Sequence, residues 1–139
     1  MTFSFWLLLV DALMAGVILA VQLVVYPAYQ YFNKEDLVRW HRTYTKNITL
    51  LVAPLMLAQL TGGVFWTLKE PGLHTAVYLL IIVLLWAVTF LRFVPLHRRI
   101  DRGTFQEPEL RTLVRLNWIR TLLWIVVFAG HIYVWGIYP

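Results

Sequence analysis

The chain alternates between long apolar stretches and short connections that hold most of its charge. We number the apolar stretches 1 to 4 in chain order: Phe3–Tyr26, Asn47–Leu68, Thr75–Val94 and Leu116–Tyr138. A helix rises about 1.5 Å per residue, so about 20 apolar residues cross the roughly 30 Å hydrocarbon core of a bilayer. The pattern predicts an all-α membrane protein, an antiparallel four-transmembrane-helix bundle that forms a single domain over residues 1–139.

Composition agrees with lipid as the solvent. Hydrophobic residues make up 60% of the chain and charged residues 14%, and the mean hydropathy is +0.70. Stretch 1 has no basic leader and no small-residue cleavage site, so we expect it to remain as a helix. The chain contains no cysteine. This excludes disulfides, thiolate catalysis and thiolate ligands for haem or iron–sulfur clusters.

Basic residues predict the orientation. They are concentrated between stretches 1 and 2 and between stretches 3 and 4, whereas the connection between stretches 2 and 3 offers only Lys69. The positive-inside rule then puts the two long loops in the cytoplasm and both termini outside, in what we expect to be a bacterial cytoplasmic membrane. The basic residues form no patch interleaved with aromatic residues, so the expected partner is the lipid bilayer and not nucleic acid.

The first long loop carries a helix signal of its own. Asn33 precedes KEDLVRWHRTY as a candidate N-cap, and Leu37, Val38, Trp40 and Tyr44 give a partly apolar stripe. An amphipathic segment of this kind is typical of helices that lie in the membrane interface. We therefore expect a short interfacial helix in the first cytoplasmic loop.

Polar residues inside the stretches fall into two layers when the helices run in alternating directions. The outer layer holds Asp11 and His131, which we expect to form a structural pair. The inner layer is larger, and each helix contributes polar residues that are spaced to share one face. Its members are Gln22, Tyr26, Trp86, Thr89, Arg92, Asn117, Arg120, Thr121 and Trp124, with Gln59 deeper, near mid-membrane.

The inner layer supplies the candidate chemistry. Arg120 is an ionisable residue inside an apolar stretch, and such residues usually face the bundle interior at a functional site. Asn117 lies one turn earlier, while His41 and His97 can close the same pocket from the loops and exchange protons near pH 7. We predict that these four residues are catalytic. The predicted substrate-binding residues are Gln22, Tyr26, Tyr44, Gln59, Trp86, Thr89 and Trp124.

Two other classes of function remain open from the residues alone. A haem held between His41 and His97 would make the chain a four-helix membrane oxidase, although we expect no cofactor. We expect Glu35, Asp36 and Asp101 to be solvated loop charges, so no carboxylate would join the two histidines in a metal site. Alternatively, the polar layer only holds helices together, and the chain is an accessory subunit of a membrane complex or forms a homo-oligomer.

Several segments together resemble a known group of proteins. VQLVVYP, RWHRTY, APLMLAQL, LWAVTFLRFVPLHRRIDRG and LVRLNWIRTLLW are similar to small bacterial four-helix membrane proteins that are distantly related to the anthrone-oxygenase family. The resemblance covers most of the chain. Gln59 occupies the recurring polar position of the second helix, and the sequence departs from the group there, because the resemblance implies an acidic residue in many relatives. The residues that recur in that group are Gln22, Tyr26, Pro27, His41, Pro54, Met56, Thr89, Pro95, His97, Asn117, Trp118, Arg120 and Thr121.

These observations favour an enzyme with a pocket that faces the cytoplasm. The expected activity is that of a cofactor-independent oxygenase, or of a related redox or isomerising enzyme. The expected substrate is a lipophilic aromatic or isoprenoid-like small molecule that enters from the lipid. In this hypothesis, Arg120 and Asn117 stabilise an enolate-like anion, and His41 or His97 moves its proton.

Overall fold

The computed structural model describes the backbone of residues 2–137 and the side chains of residues 5–136. Over that range the chain is helical apart from short connections, so the predicted all-α class is confirmed. Two π-helical turns, Val21–Val25 and Thr89–Phe93, and a 3₁₀ turn, Tyr29–Tyr31, interrupt the α-helices. The α-helices are α1 (Thr2–Ala20), α2 (Tyr26–Ala28), α3 (Lys34–Lys69), α4 (Leu73–Val88), α5 (Val94–Asp101) and α6 (Glu107–Ile137).

Four continuous helical segments are long and apolar enough to cross a membrane: Phe5–Tyr31, Lys34–Lys69, Leu73–Asp101 and Glu107–Gly136. Their surfaces are apolar, with Leu23, Leu51 and Leu91 among many exposed large hydrophobic residues. Their interior is unusually polar, and it includes fully buried Asp11 and Asn117. Exposed apolar faces around a buried polar interior suit lipid as the solvent, because lipid removes the penalty for exposing the apolar faces.

The segment predicted as a short interfacial helix belongs to a longer element. Asn33 caps α3, and its side-chain oxygen accepts a 2.8 Å hydrogen bond from the amide of Asp36. The helix then continues without a break from Lys34 to Lys69 and passes through Pro54. The first loop is therefore much shorter than the sequence predicts, and His41 lies on the same helix as Gln59.

Both π-helical turns precede a proline. Pro27 and Pro95 lack an amide hydrogen, and a proline ring clashes with the carbonyl four residues earlier in a regular helix. The chain widens locally, so the amide of Tyr26 donates to the carbonyl of Val21 and the amide of Val94 to that of Thr89. Such turns are frequent at functional sites. Here they flank the buried polar residues described below.

Two adjacent glycines let α3 approach its neighbours closely. A Cβ atom on Gly62 would lie 2.7 Å from Cδ1 of Leu7 in α1, and one on Gly63 would lie 2.9 Å from Cε1 of Tyr78 in α4. Both distances are shorter than normal carbon–carbon contacts. The absence of side chains at Gly62 and Gly63 therefore permits close packing of α3 against α1 and α4.

Candidate functional site

A pair of histidines from distant parts of the chain forms the centre of the candidate site. His41 of α3 is fully buried, and its Nε2 lies 2.8 Å from Nδ1 of His97 in α5. The two rings stack at 5.0 Å between centroids with 25° between their planes. The structure thus brings the two predicted histidines into direct contact.

Asp101 extends this pair toward solvent. Its Oδ1 lies 2.6 Å from Nδ1 of His41, and its side chain is 31% exposed. The sequence-based expectation that Asp101 is a solvated loop charge away from the histidines is wrong. Asp101 follows His97 by four residues on α5, so the two side chains share a helix face. This four-residue spacing was the feature of the sequence that could have predicted Asp101 on the same helix face as His97.

Tyr26 extends the chain of contacts in the opposite direction. Its hydroxyl lies 3.4 Å from Nε2 of His97, a long contact. An ionised carboxylate only accepts, so Nδ1 of His41 donates to Asp101. The Nε2 of a neutral His41 then accepts from Nδ1 of His97, which leaves Nε2 of His97 as an acceptor facing Tyr26. The four side chains therefore form a relay of one polarity, Asp101–His41–His97–Tyr26, which we call the histidine relay.

Arg120 of α6 is 6% exposed, and aromatic rings hold it. Its guanidinium carbon lies 4.0 Å from the centroid of the Phe93 ring and 5.1 Å from that of Trp124. Its Nη1 donates to Oδ1 of Asn117 over 3.4 Å, while its buried Nε has no hydrogen-bond partner. Phe93 was not among the predicted site residues, because an isolated Phe in an apolar stretch carries no chemical signal.

Asn117 connects Arg120 to the first helical segment. Its side-chain Nδ2 donates to Oε1 of Gln22 over 2.8 Å, and its backbone carbonyl accepts from the hydroxyl of Thr121 over 2.9 Å. Both amide side chains are buried. Asn117 and Gln22 thus fix the position of the Arg120 side chain.

A cavity of about 320 Å³, which we call the inner cavity, adjoins both the histidine relay and Arg120. Apolar side chains form most of its wall, and Tyr26, His97, Arg98, Asp101 and Arg120 supply its principal polar and charged groups. Of the other predicted residues, Tyr44 and Thr89 line it, whereas Asn117, Gln22 and His41 lie behind it. Ligand cavities of this kind are mostly apolar with a few polar groups that fix orientation.

Three predicted substrate-binding residues lie outside the wall of the inner cavity: Gln59, Trp86 and Trp124. Gln59 donates to Oδ1 of Asp11 over 2.7 Å and accepts from Nε1 of Trp124 over 3.0 Å. The indole nitrogen of Trp86 donates to the carbonyl of Met56 over 3.4 Å. None of the three is in the wall of the inner cavity. Trp124 nevertheless contacts the guanidinium of Arg120 from outside the wall. For Gln59 and Trp86 no contact with Arg120 is seen, because depth alone does not say which neighbour a side chain faces.

Gln59 belongs to a second buried network in the predicted outer half. Asp11 is its centre: Oδ1 accepts from Gln59 and, over 2.9 Å, from the hydroxyl of Tyr78, while Oδ2 lies 2.7 Å from Nδ1 of His131. The ring of His131 stacks on Trp66 at 4.8 Å. Four helices, α1, α3, α4 and α6, thus meet at one carboxylate.

We expect Asp11→Ala to lower the stability of the protein strongly. The substitution leaves Gln59, Tyr78 and His131 buried with lost partners, and breaking a buried polar pair costs about 3–5 kcal/mol. Thermal unfolding in detergent measures the effect. Asp11→Asn should be milder because it keeps the volume and one acceptor, and Glu35→Ala is the exposed control. Equal midpoints for Asp11→Ala and Glu35→Ala would contradict a structural role.

The two histidines are poorly placed for haem. A bis-histidine haem needs its two nitrogen ligands on opposite sides of the iron. Instead, Nε2 of His41 and Nδ1 of His97 contact each other, and Nδ1 of His41 faces Asp101. Among the described residues 2–137, no three His, Asp or Glu side chains are grouped to hold a metal ion. We therefore derive no chemical step through haem.

Comparison with family models, with curated proteins and with solved structures gives no match to this chain.

Proposed function

We propose that this protein is an integral membrane enzyme that transfers a proton to or from a lipophilic substrate in the inner cavity. One observation carries the proposal: the histidine relay connects the partly exposed Asp101 with Tyr26, and Tyr26, His97 and Asp101 line the same cavity as Arg120. A positioned base whose proton has a path away from the site is what general base catalysis requires. A relay with no cavity at its end would have no such use.

The residues have distinct roles in this proposal. Nε2 of His97 accepts the substrate proton, since His97 lines the cavity beside Tyr26. The proton on Nδ1 of His97 passes to His41, and the proton on Nδ1 of His41 passes to Asp101 and then to water. Arg120 stabilises the negative charge that develops on a substrate oxygen. Asn117 is a positioning residue, since it holds Arg120 and does not line the cavity.

This proton step suits two reaction types. In an isomerase, the carbanion or enolate is protonated at another atom. In a cofactor-independent oxygenase, it reacts with dioxygen after the proton has left. Both need a base and an oxyanion stabiliser at one apolar site, which His97 and Arg120 provide.

Lipid access supports a lipophilic substrate, aromatic or isoprenoid-like. The wall of the inner cavity includes exposed residues of two neighbouring segments, Thr49 and Ala53 of α3 and Phe90 of the second π-helical turn. In an antiparallel bundle these residues face the bilayer, so a substrate can reach Arg120 from the membrane without crossing water.

The proposal requires the relay to face the cytoplasm, and labelling tests this orientation. The chain has no cysteine, so single cysteines report unambiguously. We expect Thr104→Cys to be shielded from an impermeant thiol reagent in intact cells and His74→Cys to react, because basic loops stay inside. Reaction at Thr104 together with protection at His74 would reverse the orientation.

An accessory subunit is the second candidate function, and the bond between Asn117 and Gln22 favours it, because such bonds also hold membrane helices together. Asn117→Ala and Arg120→Ala separate the two functions. Loss of folding or of partner association in both variants would favour the accessory role. Stable variants that lose a bound molecule would favour the enzyme.

The experiment that tests the proposed function is purification in mild detergent followed by mass spectrometry and absorbance spectroscopy. We expect a lipophilic molecule to copurify with the protein, with no Soret band. A Soret band would favour the haem-binding oxidase instead. Release of only bulk phospholipid would argue against a substrate site.

A further inference from the structure

The positive charge of Arg120 has no negative partner in the described part of the chain. The ion pairs among those residues join other groups, such as Arg99 to Glu109 and His131 to Asp11, and none includes Arg120. Its nearest polar contact is a neutral amide at 3.4 Å, and its Nε is buried without a partner. Buried charges in proteins are usually paired, because removing a charge from water is costly.

The aromatic contacts offset only part of this cost. Phe93 and Trp124 present their faces to the guanidinium, and a cation–π contact contributes about 2 kcal/mol when desolvated. These contacts supply no oxygen acceptor for the N–H donors of the guanidinium, and Nε remains without a partner. The edge carries the N–H donors, which are suited to a bidentate acceptor such as a carboxylate.

We propose that Arg120 is an anion-binding residue and that the natural ligand of the inner cavity is a lipophilic molecule bearing an oxyanion, such as a carboxylate, phenolate or enolate. The inference deepens the proposed function and rests on it for the identity of the site. The oxyanion pairs with the edge of the guanidinium. The apolar body of the ligand lies against Ile18, Val52, Met56 and Phe90 in the same wall.

Arg98 is the other cation of the cavity wall, but it is exposed. Water already solvates its charge, so pairing it with a ligand gains little. Arg120 is desolvated before the ligand binds, and an anion there interacts through a medium of low dielectric constant. The affinity for an anion should therefore depend on Arg120 far more than on Arg98.

Binding of 2-naphthoate, compared with its neutral analogue 2-naphthalenemethanol, tests the inference. The protein is placed in phosphatidylcholine nanodiscs, and binding is measured from the ligand-dependent rise in Tm. We expect 2-naphthoate to bind at least tenfold more tightly than the alcohol. Arg120→Met should abolish this preference, whereas Arg115→Gln, an exposed arginine of the same helix, should keep it.

A second set of nanodiscs containing phosphatidylglycerol distinguishes the source of the anion. If phosphatidylglycerol weakens naphthoate binding only when Arg120 is present, the natural anion is a lipid headgroup. If it has no effect, the site takes a free lipophilic anion. Both results support an anion site at Arg120.

Equal affinity of wild-type protein for the acid and the alcohol would overturn the inference, and this result needs no folded variant. Retention of the preference in a folded Arg120→Met protein would also overturn it. His97→Gln separates this inference from the proposed function. Full turnover in this variant would reject the histidine relay, whereas the preference of wild-type protein for 2-naphthoate over the alcohol would still decide the anion site.

Discussion

His97→Gln should lower turnover by about 10²- to 10⁴-fold, the range that a positioned general base contributes. His97 is the last histidine of the relay before the inner cavity, and its Nε2 is the acceptor on that side. A glutamine keeps much of the volume and hydrogen-bonding capacity of the imidazole but does not accept a proton near neutral pH. The measurement is the turnover rate on the copurified molecule, beside a thermal unfolding curve that verifies folding.

His74→Gln is the matched control for this prediction, because His74 is exposed in the first turn of α4, next to the end of α3 that lies away from the relay. It should turn over like wild type. Asp101→Asn should give a smaller loss than His97→Gln, since the base remains and only its outlet is impaired. If a well-folded His97→Gln protein retains full activity, the histidine relay takes no part in catalysis.

Arg120→Lys should keep the fold and lower turnover by about 10²-fold, the effect of removing one strong oxyanion donor. Lysine keeps the positive charge, so the bundle faces no change in buried charge. It lacks the planar fork, however, and cannot reproduce the contacts of the guanidinium with the rings of Phe93 and Trp124. Turnover and folding are measured on the same preparation, with Arg115→Lys as the control.

The stability of Arg120→Met gives this prediction a second readout. Without ligand, wild-type protein carries a buried and unpaired cation, so removing the charge should leave Tm unchanged or raise it. A structural anchor would behave in the opposite way, with a clear loss of stability. Wild-type turnover in Arg120→Lys would show that the fork geometry is not needed, and failure of Arg120→Lys to fold would favour the accessory subunit.

The helical class and the apolar segments were predictable because they depend on local pattern alone. Bundle contacts depend on the rotation of each helix, which the two π-helical turns before Pro27 and Pro95 alter. Gln59, on the uninterrupted helix α3, was assigned to the pocket of Arg120 from its depth alone, whereas its side chain is turned toward Asp11 of α1. A prediction from depth ignores which way a helix face is turned.

Asp101 shows a different kind of error. Its position in a basic loop suggested a solvated charge, but α5 extends through it and places it on the face of His97. The four-residue spacing between His97 and Asp101 was visible in the sequence, while the partner that uses it, His41, comes from another helix. A relay assembled from two segments becomes evident only once their relative position is known.

Hydrogen exchange on the bound molecule tests the central claim most directly, because it detects proton transfer whatever the full reaction is. Purified protein with its copurified ligand is transferred to D₂O, and the mass of the ligand is followed over time. The account predicts that wild-type protein introduces deuterium at a carbon of the ligand at least about 100-fold faster than His97→Gln does. Equal rates in the two proteins, or no deuterium uptake in wild type, would contradict it.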